Sequence, residues 1–251
     1  PDLMDSMRRQ AEKFGTQMVS AHVGKVDFSQ KPFVIEADGN EYKAQSVIVA
    51  TGASARWLGL QSEKNFMGRG ISACATCDGA FFKDKEVIVV GGGDTAMEEA
   101  SFLTKFASKV YIVHRRDSFR ASKIMQQRVM DNPKIEIIWN KVIEEFMGAL
   151  KVTKVKLRDT QTDEWSEMAI DGVFLALGHD PNTQFLKGQI DMDETGYILY
   201  PDPLSTATNV PGVFGAGDVG DARYRQAITA AGSGCQAALD VERFLADRGI
   251  E

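Results

Sequence analysis

Cysteine is scarce in this chain. Cys74, Cys77 and Cys235 are too few and too unevenly spaced for a structural disulfide framework, and they suit a reducing compartment in which one close pair cycles. An excess of positive charge is also missing: the formal net charge is -6, which argues against a nucleic-acid surface while leaving local basic clusters free to bind a small anion. No apolar run approaches the roughly 20 residues of a membrane span. The opening Pro1-Asp2-Leu3-Met4-Asp5 has neither the basic start nor the apolar core of a secretory signal, so a cytoplasmic home is expected. Histidine is limited to His22, His114 and His179 in scattered contexts. With one close cysteine pair, that is a poor set for a four-ligand zinc site. The remaining absence is a glycine fingerprint near the start of the chain, whereas one is present in the middle.

What is present is an ordinary globular composition, 43% apolar and 25% charged over 251 residues, enough for one large or two modest cores. Leu3 to Phe14 reads as an amphipathic helix ending near Gly15. Thr16 to Phe28, Lys31 to Ala37 and Tyr42 to Ala50 read as strands, with a turn at Asp38-Gly39-Asn40 and an ending at Thr51-Gly52-Ala53. The β-branched run Lys85 to Val90 suits the centre of a parallel sheet covered on both faces. A helix over Thr95 to Phe106, a strand over Lys109 to Val113 and a helix over Phe119 to Asp131 follow, the last stopping at Asn132-Pro133. Ile135 to Trp139, Lys141 to Met147, Lys151 to Arg158 and Trp165 to Ile170 alternate like an antiparallel insertion. The chain then returns through an apolar strand ending at Gly178, the strand Val213 to Asp218 and a long helix over Ala227 to Phe244.

The expected fold is α/β, with two Rossmann-like nucleotide-binding domains. A central domain, residues 58–178, is inserted into a discontinuous outer one made of residues 1–57 and 179–251.

Gly91, Gly93 and Ala96 form G-x-G-x-x-A directly after a strand and at the opening of a helix, which lifts the motif above a bare pattern match. Gly91 permits the tight turn, Gly93 lets a pyrophosphate approach the backbone, and Ala96 permits close packing of the helix whose N-terminus, with Asp94 and Thr95, receives the anion. A carboxylate pointing at pyrophosphate would repel it, so Asp94 is expected to cap the helix instead. The next strand ends in His114-Arg115-Arg116, with Arg120 following, where an NAD site would carry an acidic residue. Arg115, Arg116 and Arg120, with His114 beside them, are therefore the candidates for a 2'-phosphate, and NADPH is the expected nucleotide.

A Cys-x-x-Cys pair can close a small reversible ring, and a low thiolate pKa makes one of the two an effective attacker. Zinc ligation and an inert buried pair are the competing readings. Asp78, next to Cys77, stands where a proton is needed when such a disulfide opens. Cys235 is expected to be a small buried hydrophobe. Hydride does not pass simply from a nicotinamide to a disulfide, so the combination implies FAD between them. Gly217-Asp218 offers a carboxylate to a ribityl hydroxyl, or else a plain turn. Arg225-Gln226-Ala227 opens a helix whose N-terminus can face the polar edge of the isoalloxazine.

In order along the chain, Cys74-Ala75-Thr76-Cys77-Asp78-Gly79, Gly91 to Glu99, His114 to Ser122, Gly217-Asp218-Val219 and Arg223-Tyr224-Arg225-Gln226-Ala227 closely resemble the signatures of the low-molecular-weight, flavin-dependent thioredoxin reductases. The resemblance implies a fold of the pyridine nucleotide-disulfide reductase type and electron flow from NADPH through FAD and the dithiol to thioredoxin. It also implies that Cys74 attacks thioredoxin, Cys77 faces the flavin and Asp78 serves as acid or base. Rotation of the central domain against the flavin domain and a homodimer are implied as well. Members of that family begin with a further glycine-turn unit for FAD, so the outer domain is expected to be incomplete at its N-terminal side. The alternatives are a flavoprotein disulfide reductase serving a peroxiredoxin-type partner, and a flavin-free NADPH-binding fragment without activity. No metal is expected.

Overall fold

The computed structural model describes residues 2–250; Pro1 and Glu251, the ends of the expected outer domain, lie outside the described residues. Contacts divide the chain into two units, Ser54–Asp180 and Pro1–Ala53 with Pro181–Glu251.

Ser54–Asp180 is built on a five-stranded sheet in the order Ile71–Ser72, Gly172–Leu175, Glu86–Val90, Lys109–Val113 and Ile135–Ile138, with every neighbouring pair parallel. Glu86–Val90 is its central strand, and alternation sends its side chains to two cores. Val87 and Val89 pack with Ala96, Met97, Ala100 and Leu103 of the helix Asp94–Leu103 and with Val129 of the helix Lys123–Met130. Ile88 and Val90 face Ile143, Phe146, Val155 and Leu157. These come from a separate antiparallel sheet of Lys141–Gly148, Val152–Asp159 and Trp165–Ala169. With both faces covered, all four valine and isoleucine residues of the central strand are buried, and each such side chain contributes on the order of 1.5–3 kcal/mol.

Two expectations are corrected in this unit. Ile135–Ile138 is the fifth strand of the parallel sheet and not part of the antiparallel insertion, since it pairs in parallel with Lys109–Val113. The helix expected over Phe119 to Asp131 occupies only Lys123–Met130. The residues before it are drawn into other bonds: the N–H groups of Arg120 and Ala121 donate to Gly92 O at 2.8 and 3.2 Å, and that of Ser122 donates to Asp94 Oδ1 at 2.8 Å.

The other unit holds an antiparallel sheet of Val23–Asp27, Phe33–Ala37 and Asn40–Ala44 and a parallel pair of Val47–Val49 with Val213–Gly215. Asp38 and Gly39, with φ of 45° and 79°, make the hairpin turn between two of the strands. Val26, Phe28, Phe33, Leu186, Ile198 and Val213 lie in its core, and Phe214 and Ala216 pack with Ala237 of the helix Ala227–Ala246.

The strand expected from Thr16 starts only at Val23, and residues 16–22, exposed except for half-buried Ala21, have no strand partner among the described residues. The strand expected over Tyr42 to Ala50 is two strands in different sheets. The chain turns at Ser46, whose hydroxyl donates to Gly212 O at 2.8 Å, and Val47 begins pairing with Val213. No helix of the described residues is long and apolar enough to cross a membrane.

Candidate active site

In a parallel sheet all strands end on one edge, which is where open α/β proteins bind their ligands. Here the strands ending in Ser72, Val90 and Val113 lead directly into the cysteine pair, the glycine turn and the arginine loop. Three features spread over residues 74–120 of the sequence thus share one edge of Ser54–Asp180.

The glycine turn is explained by its neighbours. A Cβ on Gly91 would stand 2.7 Å from Ala176 O and 2.8 Å from Ala96 Cβ, so Gly91 and fully buried Ala96 together let the helix Asp94–Leu103 approach the sheet. At Gly93 a Cβ would meet nothing within 4 Å. Open space therefore fronts the backbone where the helix begins, and Thr95 follows in its first turn. Asp94 does not cap this helix: the cap position is Gly93 and carries no side-chain bond. Instead Asp94 Oδ1 accepts hydrogen bonds from the N–H and hydroxyl of Ser122 at 2.8 and 2.9 Å.

Beyond Val113 the guanidinium-bearing residues Arg115, Arg116 and Arg120 are all exposed. Their loop is braced from outside, with Asn140 N–H donating to Arg116 O at 3.3 Å and the Thr160 hydroxyl to Arg115 O at 3.2 Å. His114 differs from the arginines: it is only 8% exposed, with its ring near those of Phe119 and Trp139. Burial pushes its pKa below the ordinary histidine value, outweighing backbone carbonyls that favour the protonated ring, while Arg115 and Arg116 add to the depression.

Cys74 and Cys77 are joined in a disulfide with their Cα atoms 5.3 Å apart. Cys74 caps the short helix Ala75–Asp78, its Sγ accepting the Cys77 N–H at 3.2 Å. Ser72, buried at the end of its strand, accepts the Cys74 N–H on its hydroxyl at 3.0 Å and fixes the entry to the turn. This residue escaped the sequence reading; a small hydroxyl residue two positions before the first cysteine is the available signal. Cys77 is exposed, and Cys74 and Asp78 are half-buried.

In the other unit the strand Val213–Gly215 runs into Gly217, with φ of 77°, and Asp218 in a short 3-10 helix. Ser233 Oγ accepts the Gly217 N–H at 2.9 Å, tying this turn to the helix Ala227–Ala246. Gln226 and Thr229 form a capping box at the start of the helix Ala227–Ala246. Arg225 has φ of 48°, and its guanidinium donates to Ala222 O.

The organiser of this loop is Asp221, which the sequence reading missed. Its carboxylate accepts the N–H groups of Arg223, Tyr224 and Arg225 at 2.9, 2.7 and 3.0 Å. Burial raises its pKa, but these donors and Thr229 prevail, leaving it below the ordinary aspartate value. Its signal was an Asx pattern, an aspartate followed two to four residues later by N–H groups in a turn. Cys235 is exposed, against expectation. Ala237 and Ser233 mark the face of the helix that packs inward, and Cys235 lies between them in sequence on another face.

A family model described as pyridine nucleotide-disulphide oxidoreductase matches residues 5–234. The chain is 55% identical over 249 residues to a thioredoxin reductase of Rickettsia felis, covering 98% of this chain and 80% of that protein. It is 51% identical over 259 residues to thioredoxin reductase 2 of Arabidopsis thaliana, covering 100% of this chain and 67% of that protein. Among solved structures, the thioredoxin reductase from Giardia duodenalis superposes with a TM-score of 0.92 at 47% identity, covering 98% of this chain and 81% of that one. The chain belongs to the pyridine nucleotide-disulphide oxidoreductase family and, within it, to the low-molecular-weight, flavin-dependent thioredoxin reductases.

Proposed function

We propose that this protein is an NADPH-dependent thioredoxin-disulfide reductase in which Cys74 and Cys77 pass electrons to thioredoxin, with FAD as the intervening cofactor. The observation that carries this reading is the sharing of one sheet edge by a closed disulfide, a glycine turn open to an anion and a cluster of exposed arginines.

The residues present fit both groups. For NADPH, the open backbone at Gly93 and the helix start at Asp94 and Thr95 accept the pyrophosphate, Gly91 and Ala96 keep that helix close, and Arg115, Arg116 and Arg120 supply planar donors for the 2'-phosphate. For FAD, Gly217 and Asp218 form a turn held by Ser233, and Arg225, Gln226 and Ala227 form the start of a capped helix, so the chain's own hydrogen bonds hold both polar elements in place. Bound FAD supplies the coupling between a hydride donor and a dithiol.

The reduced pair then works by thiol–disulfide exchange. The Cys74 thiolate attacks one sulfur of the thioredoxin disulfide, forming a mixed disulfide and releasing the first thioredoxin thiolate, which takes up a proton. Cys77 next attacks Cys74 Sγ, closing the 74–77 bond and releasing the second thiolate. Two electrons leave the pair and reduce the partner. Asp78, adjoining Cys77, is assigned the proton transfer. Cys74, held by Ser72 and by the Cys77 N–H, is positioned so that this closure requires little movement.

The reading carries with it a cytoplasmic homodimer, for which light scattering of the flavin-loaded protein is the check on oligomeric state. The function itself is tested by following NADPH consumption with oxidised thioredoxin in the wild type and in Cys74→Ser and Cys77→Ser. Turnover in the wild type and its loss in both variants is expected. Unaltered turnover in either variant would remove the pair from the reaction.

A further inference from the structure

Gly92, between the two glycines of the nucleotide turn, has a packing reason to be glycine. A Cβ there would lie 2.2 Å from His114 Cε1, 2.4 Å from Nδ1 and 2.8 Å from Nε2, so the imidazole lies directly against the Gly92 backbone. The same ring reaches the arginine loop, with Nε2 3.1 Å from Ser118 O. A carbonyl oxygen only accepts, so Nε2 carries the hydrogen in that contact. Gly92 O in turn accepts the N–H groups of Arg120 and Ala121. The His114 backbone is fixed too, its N–H donating to Ile138 O at 3.0 Å and its carbonyl accepting from Lys141 N–H at 3.1 Å. The buried ring is thus a wedge between the Gly91–Gly93 turn and the loop carrying Arg115, Arg116 and Arg120.

We infer that His114 is a positioning residue that holds the pyrophosphate turn and the arginine loop in register for the nucleotide, and is not itself a ligand of the 2'-phosphate. This rests on the nucleotide reading above. A phosphate ligand would present its ring nitrogen to solvent alongside the guanidinium groups. Here the ring is buried and Nε2 is engaged by Ser118. A wedge acts on every dinucleotide that uses both loops, whereas a 2'-phosphate ligand acts only on the phosphorylated one.

The experiment is titration calorimetry of the flavin-loaded protein with NADP+ and with NAD+, for the wild type, His114→Ala, His114→Gln, Gly92→Ala, the Gly92→Ala/His114→Ala double variant and Arg115→Ala/Arg116→Ala. His114→Ala and Gly92→Ala should each weaken both nucleotides by similar factors, about tenfold, because each disturbs the same contact. The double variant should lose less than the product of the two, since removing the ring makes room for the new methyl group. His114→Gln, whose amide nitrogen can still reach Ser118 O, should stay within about threefold of wild type.

Selective loss of NADP+ binding in His114→Ala would make the residue a ligand and overturn the proposal, as would multiplicative losses in the double variant. Should Gly92→Ala fail to fold, the ratio of NADP+ to NAD+ losses in His114→Ala decides alone. The arginine variant separates the underlying reading, for if it lost NADP+ and NAD+ binding by equal factors, the phosphate site would be misassigned whatever the histidine variants did.

Discussion

The Asp94 carboxylate is hydrogen bonded to both the N–H and the hydroxyl of Ser122, 28 positions away, at 2.8 and 2.9 Å. It thereby joins the first residue of one helix to the cap of the next and is engaged sideways. With Gly92 O holding Arg120 and Ala121, it fixes the path of the segment that follows the arginines.

Asp94→Ala should therefore loosen the start of the helix Lys123–Met130 without emptying the site. A loss of about 1 kcal/mol in urea unfolding is expected for this exposed pair of bonds, with nucleotide affinity falling only as far as Arg120 is displaced. A variant as stable as the wild type would show that the two bonds contribute nothing.

Replacing Arg115 and Arg116 together by alanine should weaken NADPH far more than NADH. Each lost charge-assisted contact costs about 1.5–3 kcal/mol, so the preference for NADPH over NADH in kcat/KM should fall by at least tenfold. Equal losses for the two nucleotides would contradict the assigned phosphate site.

Ser72→Ala removes the acceptor of the part-buried Cys74 N–H. A destabilisation of about 1–3 kcal/mol is expected from the unsatisfied donor, together with slower turnover with thioredoxin and an unchanged Kd for NADP+. Unaltered turnover and stability would show that Ser72 has no part in holding the cysteine turn.

His114 has a depressed pKa in the folded protein, while in the unfolded chain it titrates near ~6.5. The unfolded state then binds more protons, so the stabilising contribution is full above the unfolded value and is lost as pH falls through and below it toward the folded value. Urea unfolding between pH 8 and pH 5 should show the wild type losing stability more steeply than His114→Gln. Parallel curves would mean that the imidazole is not kept neutral by burial.

The central strand Glu86–Val90, the glycine turn after it and the arginines at the next strand end were legible because each depends on local pattern: a β-branched run, small residues at fixed spacing, and charge where the strand stops. Residues 119–122 read as helix because their side chains suit one, yet long-range bonds to Gly92 and Asp94 take their N–H groups. Ile135–Ile138 has the alternation of an antiparallel strand, and only pairing with Lys109–Val113 determines its direction. Cys235 was misplaced because small neighbours indicate neither face of a helix. Ser72, Asp221 and the inward ring of His114 were hidden for a common reason. Each acts through backbone groups, which every sequence has.

The most direct measurement is a count of reactive thiols per chain in the flavin-loaded protein under anaerobic conditions. With Cys74 and Cys77 bonded, exposed Cys235 alone should react at the outset. NADPH should raise the count from one to three, and oxidised thioredoxin added after NADPH is exhausted should return the reductase's own count to one, the two thiols reappearing on thioredoxin. A count that stays at one after NADPH, with flavin present, would contradict the passage of electrons from the nucleotide to the cysteine pair.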